Sequence, residues 1–314
     1  MTSLRWRVRA FAKVNLALYV GARRADGYHP VATVIQRLAL YDRLEISVEK
    51  RSAPGLEIRV WADVPGVPEN EENLAGKAVR LLAPELARAG YGGARVTVRI
   101  EKRIPAAAGL GGGSADAAAV LESLDQRLGL GIGREELARR AAALGSDVPA
   151  CLYQEATVGT GRGERVQPVA APVLWWVLAH PGGALRTGDV YQAYDGLRPP
   201  RPGPEAPGGE DERLRSAVEP LVRALSNSNV AEIANNLYND LQEAACRLRP
   251  DIEPLLEAMM AQGALGAIVS GSGPTVAALA PSPAMAERIA AALSSGSAWT
   301  WWGPGLASGS GTAW

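Results

Sequence analysis

Apolar and polar residues alternate through most of the first hundred positions. Residues 5–11 and 13–20 read as strands, paired or continuous through a bend, and residues 31–40, 44–49 and 56–61 read as further strands. Asp26-Gly27 marks a turn after the first pair. Asn73 is placed to cap a helix carrying Leu74, Leu81, Leu82 and Leu86, which Pro84 kinks or splits. Residues 95–102 alternate cleanly, with Val96, Val98 and Ile100 on one face and Thr97, Arg99 and Glu101 on the other. That strand delivers the chain into a glycine cluster, after which Val120, Leu121, Leu124 and Leu128 fall at helical spacing.

A second helix is expected over residues 134–144, and Gly145-Ser146-Asp147-Val148-Pro149 interrupts the helical path after it. In the second half, residues 159–163 read as a turn and 173–179 as a buried strand. Helices are expected over 214–226, 230–237, 240–248, 252–262 and 284–293, and strands over 267–270, 275–279 and 299–302. Residues 195–215 are rich in proline, glycine and charge and read as an exposed insertion. Strands and helices interleave without a regular βα rhythm, which predicts an α+β protein of two lobes. The expected lobes are residues 1–155 and 156–302, with 303–314 as a loose tail.

Composition narrows the partners more than the fold. Lys plus Arg and Asp plus Glu number 33 each, so the formal net charge is zero and neither a nucleic acid nor an anionic membrane is indicated as the main partner. Cys151 and Cys246 are far apart and form no Cys-x-x-Cys, which suits a reduced, cytoplasmic setting. His29 and His180 are equally isolated, so a zinc site is not expected. No apolar run approaches the length of a membrane span, and no signal peptide is evident. Oligomeric state leaves no signal.

The glycine cluster is the first stretch with chemistry in it. Gly109, Gly111, Gly112 and Gly113 lead into Ser114, a residue suited to cap the following helix. A flexible loop entering a helix N-terminus presents free N–H groups and a positive dipole end, which favour an anion and phosphate above all. The loop is not a Walker A motif, which needs Gly-Lys-Ser/Thr where Gly113 is followed by Ser-Ala. Nor is it a dinucleotide fingerprint, which needs a glycine at position 114. It is therefore a third kind of phosphate loop, or a hinge.

Five segments in order give a more specific signal: Ala12-Lys13-Val14-Asn15-Leu16, Arg24-Ala25-Asp26-Gly27-Tyr28-His29, residues 105–119, Gly145-Ser146-Asp147-Val148-Pro149 and Ser270-Gly271-Ser272-Gly273-Pro274. Together they resemble the small-molecule kinases of the galactokinase, homoserine kinase, mevalonate kinase and phosphomevalonate kinase superfamily. The Asp-Gly-Tyr-His and Gly-Ser-Asp-Val-Pro segments resemble the branch acting on a cytidylylated methylerythritol. The resemblance runs from about residue 8 to about residue 293 and is weakest across 195–215. It implies an N-terminal lobe like ribosomal protein S5, a ferredoxin-like C-terminal lobe, ATP as co-substrate, magnesium, and phosphorylation of the substrate 2-hydroxyl in non-mevalonate isoprenoid synthesis.

The same resemblance implies roles, each with a plainer alternative. Asp147 becomes the general base and Lys13 its electrostatic partner, where the residues alone allow a helix cap and a strand lysine facing solvent. Asn15, two residues from Lys13 on the same face, would bond the substrate or the Lys–Asp pair. Tyr28 would stack on cytosine and His29 read its edge, with Tyr191 as a second aromatic. Pro105, Ala106-Ala107-Ala108, Gly109-Leu110-Gly111-Gly112-Gly113, Ser114 and Ala115 would cradle the triphosphate. Ser114 would also reach the magnesium shell, without direct ligation being assured. Asp116 would assist the metal through water or merely suit the helix dipole, the second being favoured. Gly271, Ser272 and Gly273 would close the cleft from the second lobe. One departure stands out: the family has Met-Gly after the loop proline where this chain has Ala106-Ala107-Ala108, so the first turn of the loop is expected to be shaped differently. Homoserine or an isoprenoid alcohol as substrate is the nearer alternative, and a non-catalytic nucleic-acid-binding module the remoter one.

Overall fold

The computed structural model describes residues 3–197 and 209–307. β1 (Ser3–Val20) and β2 (Val31–Lys50) form a long antiparallel hairpin. β2 was expected as two strands, and β1 as two strands paired or continuous through a bend, of which the continuous form is found. In β2 the polar interruption includes Asp42, which is fully buried because its carboxylate accepts the Arg103 and Ile104 N–H groups and the Lys102 ammonium. Those donors replace water, so the strand continues. In β1 the interruptions survive as register shifts between Phe11 and Lys13 and between Asn15 and Ala17. Bulges bend a strand and re-aim its side chains, and Lys13 and Asn15 lie between the two.

β3 (Glu57–Ala62) and β4 (Ala94–Glu101) flank β2 on one side. α1 (Leu74–Leu81) begins at Asn73, whose Oδ1 accepts the Ala75 N–H at 2.9 Å, and Pro84 opens the separate α2 (Ala83–Leu86), as the proline predicts. α3 (Gly112–Leu128) packs on β1 and α1. Its cap is Gly111 at φ 68°, not Ser114, which lies within the first turn. A left-handed glycine starts the helix earlier than a serine cap would, and a Cβ at Gly111 would fall 2.8 Å from Lys13 Cγ. α4 (Arg134–Ala141) and α5 (Val148–Cys151) complete this side. β5 (Ala156–Thr160) and β6 (Arg165–Val169) form a hairpin of which the sequence announced only a turn; β5 pairs with β2, and β6 with β5. The first sheet thus continues past residue 155, where the lobe boundary was expected.

The second half adds β7 (Trp175–His180), β8 (Tyr238–Asn239), β9 (Gly266–Val269), β10 (Val276–Ala280) and β11 (Trp299–Pro304). Its helices are α6 (Thr187–Leu197), α7 (Gly209–Ser226), α8 (Val230–Asn235), α9 (Gln242–Leu248), α10 (Ile252–Ala261) and α11 (Pro283–Leu293). β8 pairs in parallel with β1, giving the first sheet the order β3-β4-β2-β1-β8. The rest form an antiparallel sheet of order β11-β7-β10-β9 with helices between β7 and β9 and between β10 and β11, the βαββαβ arrangement of a ferredoxin-like lobe.

Two expectations change. Asp195–Leu197 belongs to α6 and residues 209–215 to α7, so the described parts of the supposed 195–215 insertion are helical, and 198–208 lie outside the described residues. Gly303 and Pro304 are in β11, Gly305 bridges Leu38, and the Leu306 N–H donates to Arg37 O at 2.7 Å. The chain is thus tied down through Leu306, and residues 308–314 lie outside the described part. One hydrophobic cluster joins Leu16 and Leu38 of the first sheet to Trp176, Leu279 and Ile268 of the second and to Leu221 of α7. Among the described residues no helix is long and apolar enough to cross a membrane.

Candidate active site

A cleft of about 1350 Å³ opens between the lobes. Lys13, Asn15, Tyr28, His29, Asp147, Tyr191, Gly271 and Ser272 line it, together with Pro105–Gly109 and Gly111–Ser114 of the loop. Lys13 is 3% exposed, so its ammonium must be held by the protein. Nζ donates to Asn15 Oδ1 at 2.6 Å and lies 3.2 Å from Asp147 Oδ2. Asn15 Nδ2 in turn donates to Thr33 Oγ1 at 2.9 Å, and Thr33 Oγ1 to Ala17 O at 2.7 Å. The chain Thr33–Asn15–Lys13–Asp147 aims one ammonium at one carboxylate. Asp147 precedes α5 but makes no side-chain cap bond, so the plain helix-cap reading does not hold.

The loop is fitted to this pair. The Lys13 N–H donates to Leu110 O at 3.0 Å, fixing the loop against β1. A Cβ at Gly109 would lie 2.2 Å from Ser270 O, and Ser270 Oγ donates to Gly109 O at 3.0 Å. Ala107 takes φ 51°, the left-handed region, so the triple alanine holds a turn that glycine would make freely. Leu110, Ala115 and Gly273 do not line the cleft: the first two are buried in the core, and Gly273 packs against Val269 behind Ser272.

Tyr28 and His29 stand on the loop between β1 and β2. His29 is buried, with Nδ1 2.8 Å from Gly21 O, Nε2 3.3 Å from Asp195 Oδ1 and its ring centroid 5.2 Å from that of Tyr191. Tyr28 is 55% exposed, with the Arg162 guanidinium 4.8 Å over its ring. Burial pushes the Tyr191 phenol well above its ordinary value, with Asp147 adding to the effect, so the ring stays neutral.

Residues 73–155 match the GHMP kinases N terminal domain and residues 220–297 the GHMP kinases C terminal domain. The chain is 43% identical, over 91% of its length and 90% of the relative's, to a 4-diphosphocytidyl-2-C-methyl-D-erythritol kinase from Thermobifida fusca. The chain belongs to the GHMP kinase family. Among GHMP kinases of known structure, a 4-(cytidine 5'-diphospho)-2C-methyl-D-erythritol kinase is 36% identical, with a TM-score of 0.73 over 96% of this chain and 99% of its own. The homoserine kinase from Cytophaga hutchinsonii, 20% identical with a TM-score of 0.74 over 96% of both chains, shares the fold.

In this GHMP kinase the structure adds residues that the motifs did not single out. Thr33 and Asp195 each fix a motif residue from another element, and nothing in their local sequence marks them. Lys102 lies between two buried carboxylates, 3.0 Å from Asp116 Oδ2 and hydrogen-bonded to Asp42. Asp116 is therefore a buried ion-pair member, not a surface charge on the helix dipole. Burial raises its carboxyl to about 7, against the pull of Lys102 and with help from Asp42. Burial alone would lower the Lys102 ammonium, but the two carboxylates outweigh it and raise it.

Proposed function

We propose that this chain transfers the γ-phosphoryl group of ATP to the 2-hydroxyl of 4-diphosphocytidyl-2-C-methyl-D-erythritol, a step of non-mevalonate isoprenoid synthesis. The relatives bearing that name support the reading. The observation that carries it is the juxtaposition, in one cleft, of the Lys13–Asp147 pair, a helix N-terminus and the Tyr28–His29–Tyr191 cluster.

The Gly112, Gly113 and Ser114 N–H groups precede the first intrahelical bond of α3, which the Ala115 N–H makes to Gly111 O at 2.8 Å. They are free to cradle the triphosphate. Asp147 takes the hydroxyl proton as the substrate oxygen bonds to the γ-phosphorus and the bond to ADP breaks. Lys13, 3.2 Å from Asp147 Oδ2, offsets charge on the attacking oxygen. Tyr28 and Tyr191 offer stacking surfaces for the cytosine, with His29 at its edge. Magnesium fits beside Ser114 and Asp116: Ser114 lines the cleft, and Asp116 Oδ1 is buried without a hydrogen-bond partner. Bound there with the triphosphate, the ion would neutralise phosphate charge. The free cysteines suit a reducing cytoplasm.

An ADP-release assay offering the cytidylylated substrate beside homoserine and mevalonate tests the assignment. Turnover is expected with the first alone, because neither competitor carries a base for Tyr28 and Tyr191. Turnover of a competitor and not of the first would overturn it. Asp147→Asn should lower kcat by about 10²–10⁴-fold with ATP affinity retained, and wild-type kcat in that variant would remove Asp147 from the mechanism.

A further inference from the structure

The cleft must hold two polyphosphates: the ATP triphosphate and, on the functional reading above, the diphosphate joining cytidine to methylerythritol. Its two lysines are already matched. Lys13 pairs with Asp147, and Lys102 with Asp42 and Asp116. Three arginines also line the cleft, Arg23, Arg162 and Arg186, and among the described residues none of them has a carboxylate partner. Arg23 Nε donates to Gly27 O at 3.1 Å, and it is the position of Arg162, at the tip of the β5–β6 hairpin, that singles it out. The nearest carboxylate in sequence is engaged elsewhere: Glu164 Oε2 accepts the Arg162 backbone N–H at 2.5 Å, and Oε1 lies 3.8 Å from Arg165 Nε.

The hairpin tip is held on two sides. Gly161 O accepts the Val31 N–H at 2.7 Å, two residues after His29. Gly163 packs against Ser146, the neighbour of Asp147, at 3.7 Å from the position a Cβ would take. Gly161 at φ 76° and Gly163 at φ 103° make the tight turn possible. Arg162 therefore stands between the aromatic cluster and the Lys13–Asp147 pair. In a substrate whose base lies at the first and whose hydroxyl lies at the second, the diphosphate is the segment that spans this gap. The Arg162 guanidinium carbon lies 4.8 Å from the centre of the Tyr28 ring, and the N–H fork of a guanidinium can match two phosphate oxygens at once.

We propose that Arg162 binds the substrate diphosphate and is a specificity-determining residue of this enzyme. The proposal rests on the functional reading above, and its test separates the two. Cytidine and CDP serve as inhibitors of the cytidylylated substrate at saturating ATP, in the wild type, Arg162→Ala and Arg162→Lys. The wild type should prefer CDP to cytidine. Arg162→Ala should reduce that preference, and raise KM for the cytidylylated substrate, by about 10- to 100-fold. Cytidine inhibition and KM for ATP should stay at wild-type values. Arg162→Lys keeps the charge without the fork and should fall between. Arg162 is exposed at a turn, so neither change removes core packing. An unaltered CDP preference in an Arg162→Ala enzyme that still turns over the substrate would overturn this proposal alone. A wild type that fails to turn over the substrate would overturn the functional reading and this proposal with it.

Discussion

Ala107 holds φ 51° in the glycine-rich loop, and its side chain is exposed. Replacing it with glycine isolates one energy term, because almost no packing is lost. A left-handed backbone costs a residue with a Cβ about 1–2 kcal/mol. Glycine gives back about 0.4–1 kcal/mol by enlarging the entropy of the unfolded chain. Ala107→Gly should therefore stabilise the protein by about 0.5–1 kcal/mol, a rise of roughly 1–3 °C in Tm for a chain of this size. Gly109→Ala is the opposite control two residues on. It adds a Cβ at φ 78° that would lie 2.2 Å from Ser270 O, a backbone atom with little room to move. A loss of about 2–3 kcal/mol is expected there. Calorimetry on the wild type and both variants reads these terms. An Ala107→Gly protein that melts below the wild type would refute the argument, since the loop would then draw its stability from the alanine itself.

Asp116 gives a pH signature. Its carboxyl is raised from 3.8 to about 7 in the folded protein, so the native state binds that proton more tightly than the unfolded chain does. The resulting stabilisation is present below the unfolded value and is lost as pH rises towards 7. Asp116→Asn, which cannot ionise, should gain in Tm relative to the wild type as pH goes from 5 to 8. Parallel curves would show that Lys102 neutralises Asp116 completely. Gly305→Ala tests the tie at the end of the described chain. A Cβ there would meet Gln36 Oε1 at 2.4 Å, and that side chain is fully buried and bonded to Trp176 Nε1, Pro172 O and Leu306 O. The substitution should cost about 1–3 kcal/mol in urea unfolding, and an unchanged midpoint would mean that Gln36 moves freely.

The parts legible in sequence were those whose signal is local. Alternation placed β3 and β4 closely, a dense apolar run placed β7, Asn73 and Pro84 set the limits of α1 and α2, and the glycine cluster announced a helix N-terminus. Three features failed for one reason, that their partners are distant. Asp42 looks like a break in β2 until Lys102, Arg103 and Ile104 supply its donors. β8 is two residues long and exists only because β1 offers an edge. β5 and β6 include a glycine and a proline that dilute any alternation, yet β2 is long enough to carry them beyond β4. In the site, Lys13 and Asp147 were readable as motif residues. Thr33, Asp195 and Arg162 were not, because each acts on its neighbour through space from an element with no motif of its own.

The hydrophobic cluster that runs through both sheets has a consequence for how the molecule comes apart. Leu16 and Leu38 share one dry interior with Trp176, Ile268 and Leu279, and Leu221 of α7 closes it. Separating the lobes would wet that interior at about 25 cal/mol for each Å² of apolar surface. β8 on β1 and Gly305 on Leu38 would have to be released in the same event. The two halves are therefore not independent folding units joined by a hinge. They melt together, and a cut at residue 155 opens the core that they share.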